Sequence, residues 1–261
     1  MRCLCLVKDE LYKLFLEYLS TKGIELVKEP NEKNLSDTND IDEDILEKRL
    51  FVISEFHKKV LGYKGYMGKR LDNKTGSVIE QYKVSIRRLK RYLKNIRVNS
   101  ASSDFERQLL KVGFDYLQRA EKSISDAYNA GYVSIIERSM KRTEICLGNI
   151  DFSQLRLNGK IIEITDIDKC CYNNVEMDCF NLLSKYKRKG TNLDYKRLVK
   201  RFCELENLEE SSYNFILALL SYPYSFMKCC NRYREKSKEW NESEYEESLK
   251  KAILKDGEEL V

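Results

Sequence analysis

Apolar residues return every three or four positions through most of this chain, the spacing that gathers them on one face of a helix. From Asp9 to Lys22 that face is Leu11, Leu14, Phe15, Tyr18 and Leu19, and Gly23 stands where a left-handed cap is expected. The polar stretch from Glu29 to Asp44, with Pro30 in it, has almost nothing to bury and is expected as a linker or surface loop. Leu46, Leu50, Ile53 and Val60 predict a second helix over Glu43 to Leu61, ended by Gly62. A basic loop carrying Gly62, Gly65, Gly68 and Gly76 then leads into Tyr82, Ile86, Leu89, Leu93 and Ile96, whose regular spacing marks a third helix. Asp104 is the expected N-cap of a fourth, with Phe105, Leu109, Val112, Tyr116, Ala120, Ile124 and Ala127 inward and Gly131 at its end. Only one stretch reads confidently as β: apolar residues alternate from Leu155 to Leu157 and from Lys160 to Ile164 around Asn158-Gly159, a strong hairpin signal. Helices are predicted again over Val175 to Lys187, Asp194 to Glu206, Ser211 to Arg234 with Pro223 inside, and Glu242 to Lys255.

Composition sharpens this picture. The 261 residues include 11 glycines and two prolines, far below the usual share of about 12% for the two together, which excludes collagen-like, low-complexity and many-turned β-sandwich folds. The longest apolar run, Phe215 to Leu220, is too short to cross a bilayer, and the apolar start from Cys3 to Val7 meets Lys8-Asp9-Glu10 at once, so neither a membrane span nor a secretory signal is expected. Nine cysteines, with adjacent pairs at 170–171 and 229–230, lack the spacing of a disulfide framework and fit synthesis in a reducing compartment.

Candidate chemistry lies between residues 146 and 182: a short loop, the hairpin, the acidic loop Thr165-Asp166-Ile167-Asp168, and a helix that begins near Asp178. That order resembles the large lobe of the aminoglycoside phosphotransferase and choline kinase-like superfamily. Within it the chain is similar to the spore-coat protein S (CotS) family, through Ile53 to His57 with Gly62-Tyr63, Lys111 to Ala130, and Leu217 to Tyr233. The resemblance covers residue 45 onward. It implies a predominantly helical α+β fold, the large C-terminal lobe of a protein kinase-like protein with a short hairpin and a truncated small lobe. Residues 1–44 would be an N-terminal helix and linker left from that small lobe, and 45–261 the kinase-like lobe.

In that superfamily the loop supplies a histidine, a carboxylate that orients the substrate hydroxyl, and an asparagine that holds magnesium. Aligned on Gly148, those places fall on Leu147, Asn149 and Gln154, none of which keeps its polar role intact. Asn149 cannot act as a carboxylate base, a contribution typically worth about 10² to 10⁴ in rate. Asp166 matches the family's metal-binding aspartate and Asp178 a structural one; Asp166 and Asp168 together are expected to give a weak, vestigial cation site. With no glycine-rich phosphate loop before residue 45, the sequence reads as a pseudokinase, not an enzyme: a structural or interaction protein made in the mother-cell cytoplasm and assembled with other coat proteins on the spore. That reading requires no cofactor and no nucleotide. A live small-molecule kinase using Asp151 as base, and a basic helical nucleic-acid-binding protein, remain as alternatives.

Other residues are weighed by chemistry. His57 is the one histidine, expected on a helix at the surface or half-buried. The cysteines at 3, 5, 170, 171 and 179 lack a second paired unit for zinc, and free thiols are expected. Between Gln81 and Ser103 there is no acidic residue, and Lys83, Arg87, Arg88, Lys90, Arg91, Lys94 and Arg97 give one helix a basic surface suited to an acidic protein partner.

Overall fold

The computed structural model describes residues 14–28, 42–64, 71–148 and 155–261. A helical segment over 14–21 (α1) turns at Gly23 into strand β1 (Ile24–Leu26). Then come α2 (Glu43–Val60), β2 (Asp72–Asn73), α3 (Ser77–Asn99), α4 (Asp104–Asn129) and α5 (Tyr132–Arg142). Strands β3 (Ile145–Cys146), β4 (Leu155–Asn158), β5 (Ile161–Ile164) and β6 (Cys171–Tyr172) follow. The chain closes with α6 (Glu176–Lys189), α7 (Tyr195–Glu206), α8 (Glu210–Ser221), α9 (Tyr224–Glu235) and α10 (Glu242–Asp256).

The chain forms two compact units, the first from Met1–Thr75, Val133–Leu182 and Leu193–Glu210. It holds both sheets. The predicted hairpin forms as β4 and β5, with Leu155 opposite Ile164 and Asn158 opposite Ile161, and β1 adds to its far edge in parallel, Ile24 beside Ile162 and Leu26 beside Ile164. Ile162 and Ile164 point inward while Ile161 and Glu163 do not, the alternation expected of a strand buried on one face. In the second sheet β6 lies between β2, parallel to it, and β3, antiparallel to it. Helix α2 starts at Asp42, whose carboxylate accepts the Ile45 N–H at 2.8 Å, and packs Leu46, Leu50, Ile53 and Phe56 against α7, whose Leu198, Val199 and Phe202 are fully buried. Each such side chain contributes about 1.5 to 3 kcal/mol when removed from water.

The second unit, Gly76–Tyr132, Leu183–Asn192 and Ser211–Val261, is all helix among the described residues. Tyr82, Ile86, Leu89, Leu93 and Ile96 of α3 are all buried, as their spacing predicts. They face α4, which comes so close that a Cβ on Gly113 would lie 2.7 Å from a Leu93 methyl. Helix α4 begins one residue later than expected: Ser103, not Asp104, is the N-cap, its hydroxyl accepting the Glu106 N–H at 3.2 Å. Its middle turns also differ from the predicted face, because the tight approach at Gly113 puts Gly113 and Leu117 inward and leaves Val112 and Tyr116 only half-buried.

The single helix expected over Ser211 to Arg234 is two, α8 and α9, parted at Tyr222-Pro223, since proline lacks an N–H and its ring opposes the preceding turn. Both broken ends find partners within this unit. Lys187 donates to Leu220 O at 2.8 Å and Arg119 to Ser221 O at 2.9 Å. The Asp256 carboxylate accepts the Ser225 and Phe226 N–H groups at 2.8 Å each, capping α9. Phe215 to Leu220, the longest apolar run, is buried throughout. No described helix is long and apolar enough to cross a membrane.

Candidate functional site

After β3 the first unit's chain passes through Leu147 and Gly148, where the superfamily's catalytic loop is expected. The backbone is held there by one carboxylate: Asp178, in the first turn of α6, accepts the Leu147 N–H at 2.7 Å on one oxygen and the Gly148 N–H at 2.9 Å on the other. Asn181, one turn on, donates to Gly148 O at 3.1 Å. Gly148 has φ +83°, and a Cβ there would lie 2.3 Å from Lys169 O, so only glycine lets this segment touch the one that follows β5. That second segment carries the acidic pair. Asp166 is half-buried and accepts the Asp168 N–H at 2.7 Å, leaving its other oxygen outside this turn; Asp168 is exposed.

Beneath the Leu147–Gly148 backbone sits His57. The expectation of a surface or half-buried histidine is wrong: it is 3% exposed, with Nε2 3.0 Å from Asp178 Oδ2 and Nδ1 2.7 Å from Glu206 Oε1. Burial alone opposes a charge here, but the two carboxylates outweigh it and raise the imidazole pKa to about 10, so His57 is an imidazolium at neutral pH. Two further buried carboxylates fix the approach to α6. Glu144 accepts the Val175 N–H at 3.2 Å, Glu176 accepts from the Asn174 amide at 3.1 Å, and Arg138 bridges both, 3.2 Å from Glu144 and 2.8 Å from Glu176. Asp178 is thus placed by a turn that Arg138 holds from the far side.

Of the predicted loop positions, Leu147 is buried, while Asn149, Asp151 and Gln154 lie outside the described residues. His57, Cys146 and Asp178 lie close enough to share a metal ion. Their chemistry opposes one: both imidazole nitrogens already face carboxylates, both Asp178 oxygens already accept backbone N–H groups, and Cys146 donates to Asn174 O at 3.1 Å. Burial pushes the thiols of Cys146, Cys170 and Cys179 well above the usual range, so none is a ready thiolate. The seven described cysteines are free. Lys83, Arg87, Arg88, Lys90, Arg91 and Lys94 all lie on α3, which belongs to the second unit, whereas the candidate loop belongs to the first.

No family model matches the chain. No curated protein matches it by sequence. By structure it is similar to the crystal structure of an aminoglycoside phosphotransferase from Alicyclobacillus acidocaldarius subsp. acidocaldarius DSM 446, with a TM-score of 0.65 and 12% sequence identity. The match covers 88% of this chain and 65% of that one. Because that structure is of a phosphotransferase, the likeness overturns the reading of this chain as a non-enzyme, which rested on the replaced residues at 147, 149 and 154. The spore-coat branch rests on sequence features alone. What the comparison establishes is the fold: a mostly helical α+β protein with the architecture of an aminoglycoside phosphotransferase, spanning about two-thirds of that structure's length.

Proposed function

We propose that this chain is a kinase-like phosphotransferase that moves a phosphoryl group from a magnesium-bound nucleotide to the hydroxyl of a small molecule. The observation that carries this reading is the tie between the two loops: Asp178 fixes the Leu147–Gly148 backbone, and Gly148 presses that backbone against the segment bearing Asp166 and Asp168. A buried imidazolium and carboxylate behind the Leu147–Gly148 backbone are costly to desolvate, and such charge is more usual where a loop must be held for chemistry than in a passive scaffold.

The donor set at the acidic segment suits magnesium, a hard cation that prefers carboxylate oxygens and keeps several waters. Asp166 and the exposed Asp168 would hold it. Bound there, it would neutralise charge on the transferred phosphoryl group. The residues of the chain do the rest: Asp178 and Asn181 orient the loop, and His57, 3.0 Å from Asp178, holds that carboxylate directed at the two N–H groups. From the sequence we assign proton acceptance to Asp151, the carboxylate two residues beyond Asn149.

Purified protein incubated with labelled ATP, magnesium and a panel of aminoglycosides and amino-alcohols tests this directly. Transfer that Asp166→Asn abolishes, and that Asp151→Asn lowers by about 10² or more, is the expected result. Absence of nucleotide binding, read as no magnesium-dependent thermal shift with ATP, overturns the proposal. Association with a spore coat is a further proposal supported by the stretches at 53–63, 111–130 and 217–233. A fluorescent fusion that stays diffuse in the mother cell throughout sporulation would refute it.

A further inference from the structure

The basic helix α3 divides into paired and unpaired cations. Lys83 lies 2.9 Å from Glu80, Arg88 3.4 Å from Glu235 and Lys90 2.9 Å from Glu121, while Arg97 stacks over Phe114 at 5.8 Å. Three are left: Arg87, Arg91 and Lys94 are exposed and meet no carboxylate among the described residues. Their spacing, four then three, puts them on one stripe of the helix, about 10 Å from end to end at 1.5 Å per residue. Neighbouring charges on it are about 5 to 6 Å apart, within the screening length of about 8 Å at physiological salt, so an approaching anion meets them together.

The stripe has apolar ends. One turn past Lys94 comes Val98, 73% exposed, with the exposed ring of Phe114 nearby under Arg97. At the other end Ile86 and Ile124 line an open groove of about 450 Å³, beside Arg87 and Lys83. Two carboxylates, Glu80 and Glu121, also line that groove.

We infer that this stripe docks an acidic amphipathic helix of a protein partner. A helix can set carboxylates at the same four-three spacing opposite Arg87, Arg91 and Lys94, and place one apolar side chain in the Ile86–Ile124 groove and another over Val98. A nucleic acid fits less well. Its phosphates run without interruption, so they would be driven against Glu80 and Glu121, and nothing apolar in its backbone would cover Val98. Steering by such a strip is felt mainly in association rate and salt dependence.

The test uses the full chain and a labelled synthetic helical peptide with glutamates at four-three spacing between terminal leucines, followed by fluorescence anisotropy from about 50 to 300 mM salt. Saturable binding that weakens with salt is expected. The triple variant Arg87→Gln, Arg91→Gln, Lys94→Gln should bind at least about tenfold more weakly. The double variant Arg88→Gln, Lys90→Gln, which removes cations already paired within the molecule, should bind almost as the parent does. Since all five positions are exposed, unchanged circular dichroism is expected of both variants. Equal binding by the triple variant, tighter binding of single-stranded RNA of equal charge, or no binding to the peptide each overturns the inference.

Discussion

Each unit of the molecule draws a cation away from water, and the partners given to His57 in the first and to the half-buried Lys187 in the second are opposite. His57 in the first unit faces two carboxylates, so its charge is favoured and its pKa rises to about 10. Lys187 in the second faces carbonyl oxygens, Leu220 O at 2.8 Å and Asp256 O at 3.0 Å; burial, with Arg119 nearby, lowers its pKa to about 8. Carbonyl dipoles solvate an ammonium but do not repay its desolvation as a full negative charge does. The difference teaches what each knot is for. The first holds a charged constellation under a loop, and the second repairs the backbone where Pro223 interrupts the helix.

The comparison breaks most severely at Asp178, which serves His57 and the loop together. Asp178→Asn puts an amide where two backbone donors and an imidazolium all need acceptors. A loss of about 3 to 5 kcal/mol is expected, the cost of breaking a buried ion pair, read by chemical unfolding at neutral pH. A change below about 1 kcal/mol would show that the knot is not what stabilises the first unit.

His57→Gln comes next and sharpens the comparison through pH. It leaves Asp178 and Glu206 without their shared cation, for a loss of about 3 kcal/mol near pH 6. A group whose folded pKa, about 10, lies above its ordinary value of 6.5 gives its full contribution below 6.5 and loses it as pH rises through 10. The gap between parent and variant should therefore narrow steadily over that range. A gap independent of pH would mean that His57 acts through shape, not charge.

Gly148→Ala is a smaller, local break. The positive φ and the contact with Lys169 O together predict about 2 kcal/mol. Faster proteolysis in the segment joining β3 to β4, with little change in the second unit's helical signal, is the expected reading.

The regular parts of this fold were legible because their signal is periodic. Tyr82, Ile86, Leu89, Leu93 and Ile96 of α3 and the Asn158-Gly159 hairpin stand where their patterns put them. The short α5 was missed: its buried face is Tyr132, Ile135 and Ser139, a polar residue in one of three slots, while Val133 and Met140 are exposed and blur the period. Strands β1, β2, β3 and β6, two or three residues each, are too short for any period to appear. The site was legible in part. The acidic loop and Asp178 could be found by their order along the chain, but His57 meets its partners across 121 and 149 positions, and no local pattern records that. The same holds for Pro223, whose break is visible in sequence while its repair by Arg119, Lys187 and Asp256 is not.

The smallest expected effect, at Lys187, gives the comparison its sign. A lysine whose folded pKa, about 8, lies below its ordinary 10.5 carries a full penalty for its buried charge below pH 8, and that penalty fades as pH rises toward 10.5. Lys187→Met removes both the penalty and the donors to Leu220 O and Asp256 O. At neutral pH these offset, because an orphaned carbonyl costs about 1 to 3 kcal/mol while the buried methionine regains apolar contact, leaving a net loss of about 1 kcal/mol. As pH rises past 8 the parent alone gains, so its lead over Lys187→Met should widen where its lead over His57→Gln narrows. Parallel slopes for the two variants would mean that carboxylate and carbonyl partners do not separate these cations, and the contrast between the two units would fail.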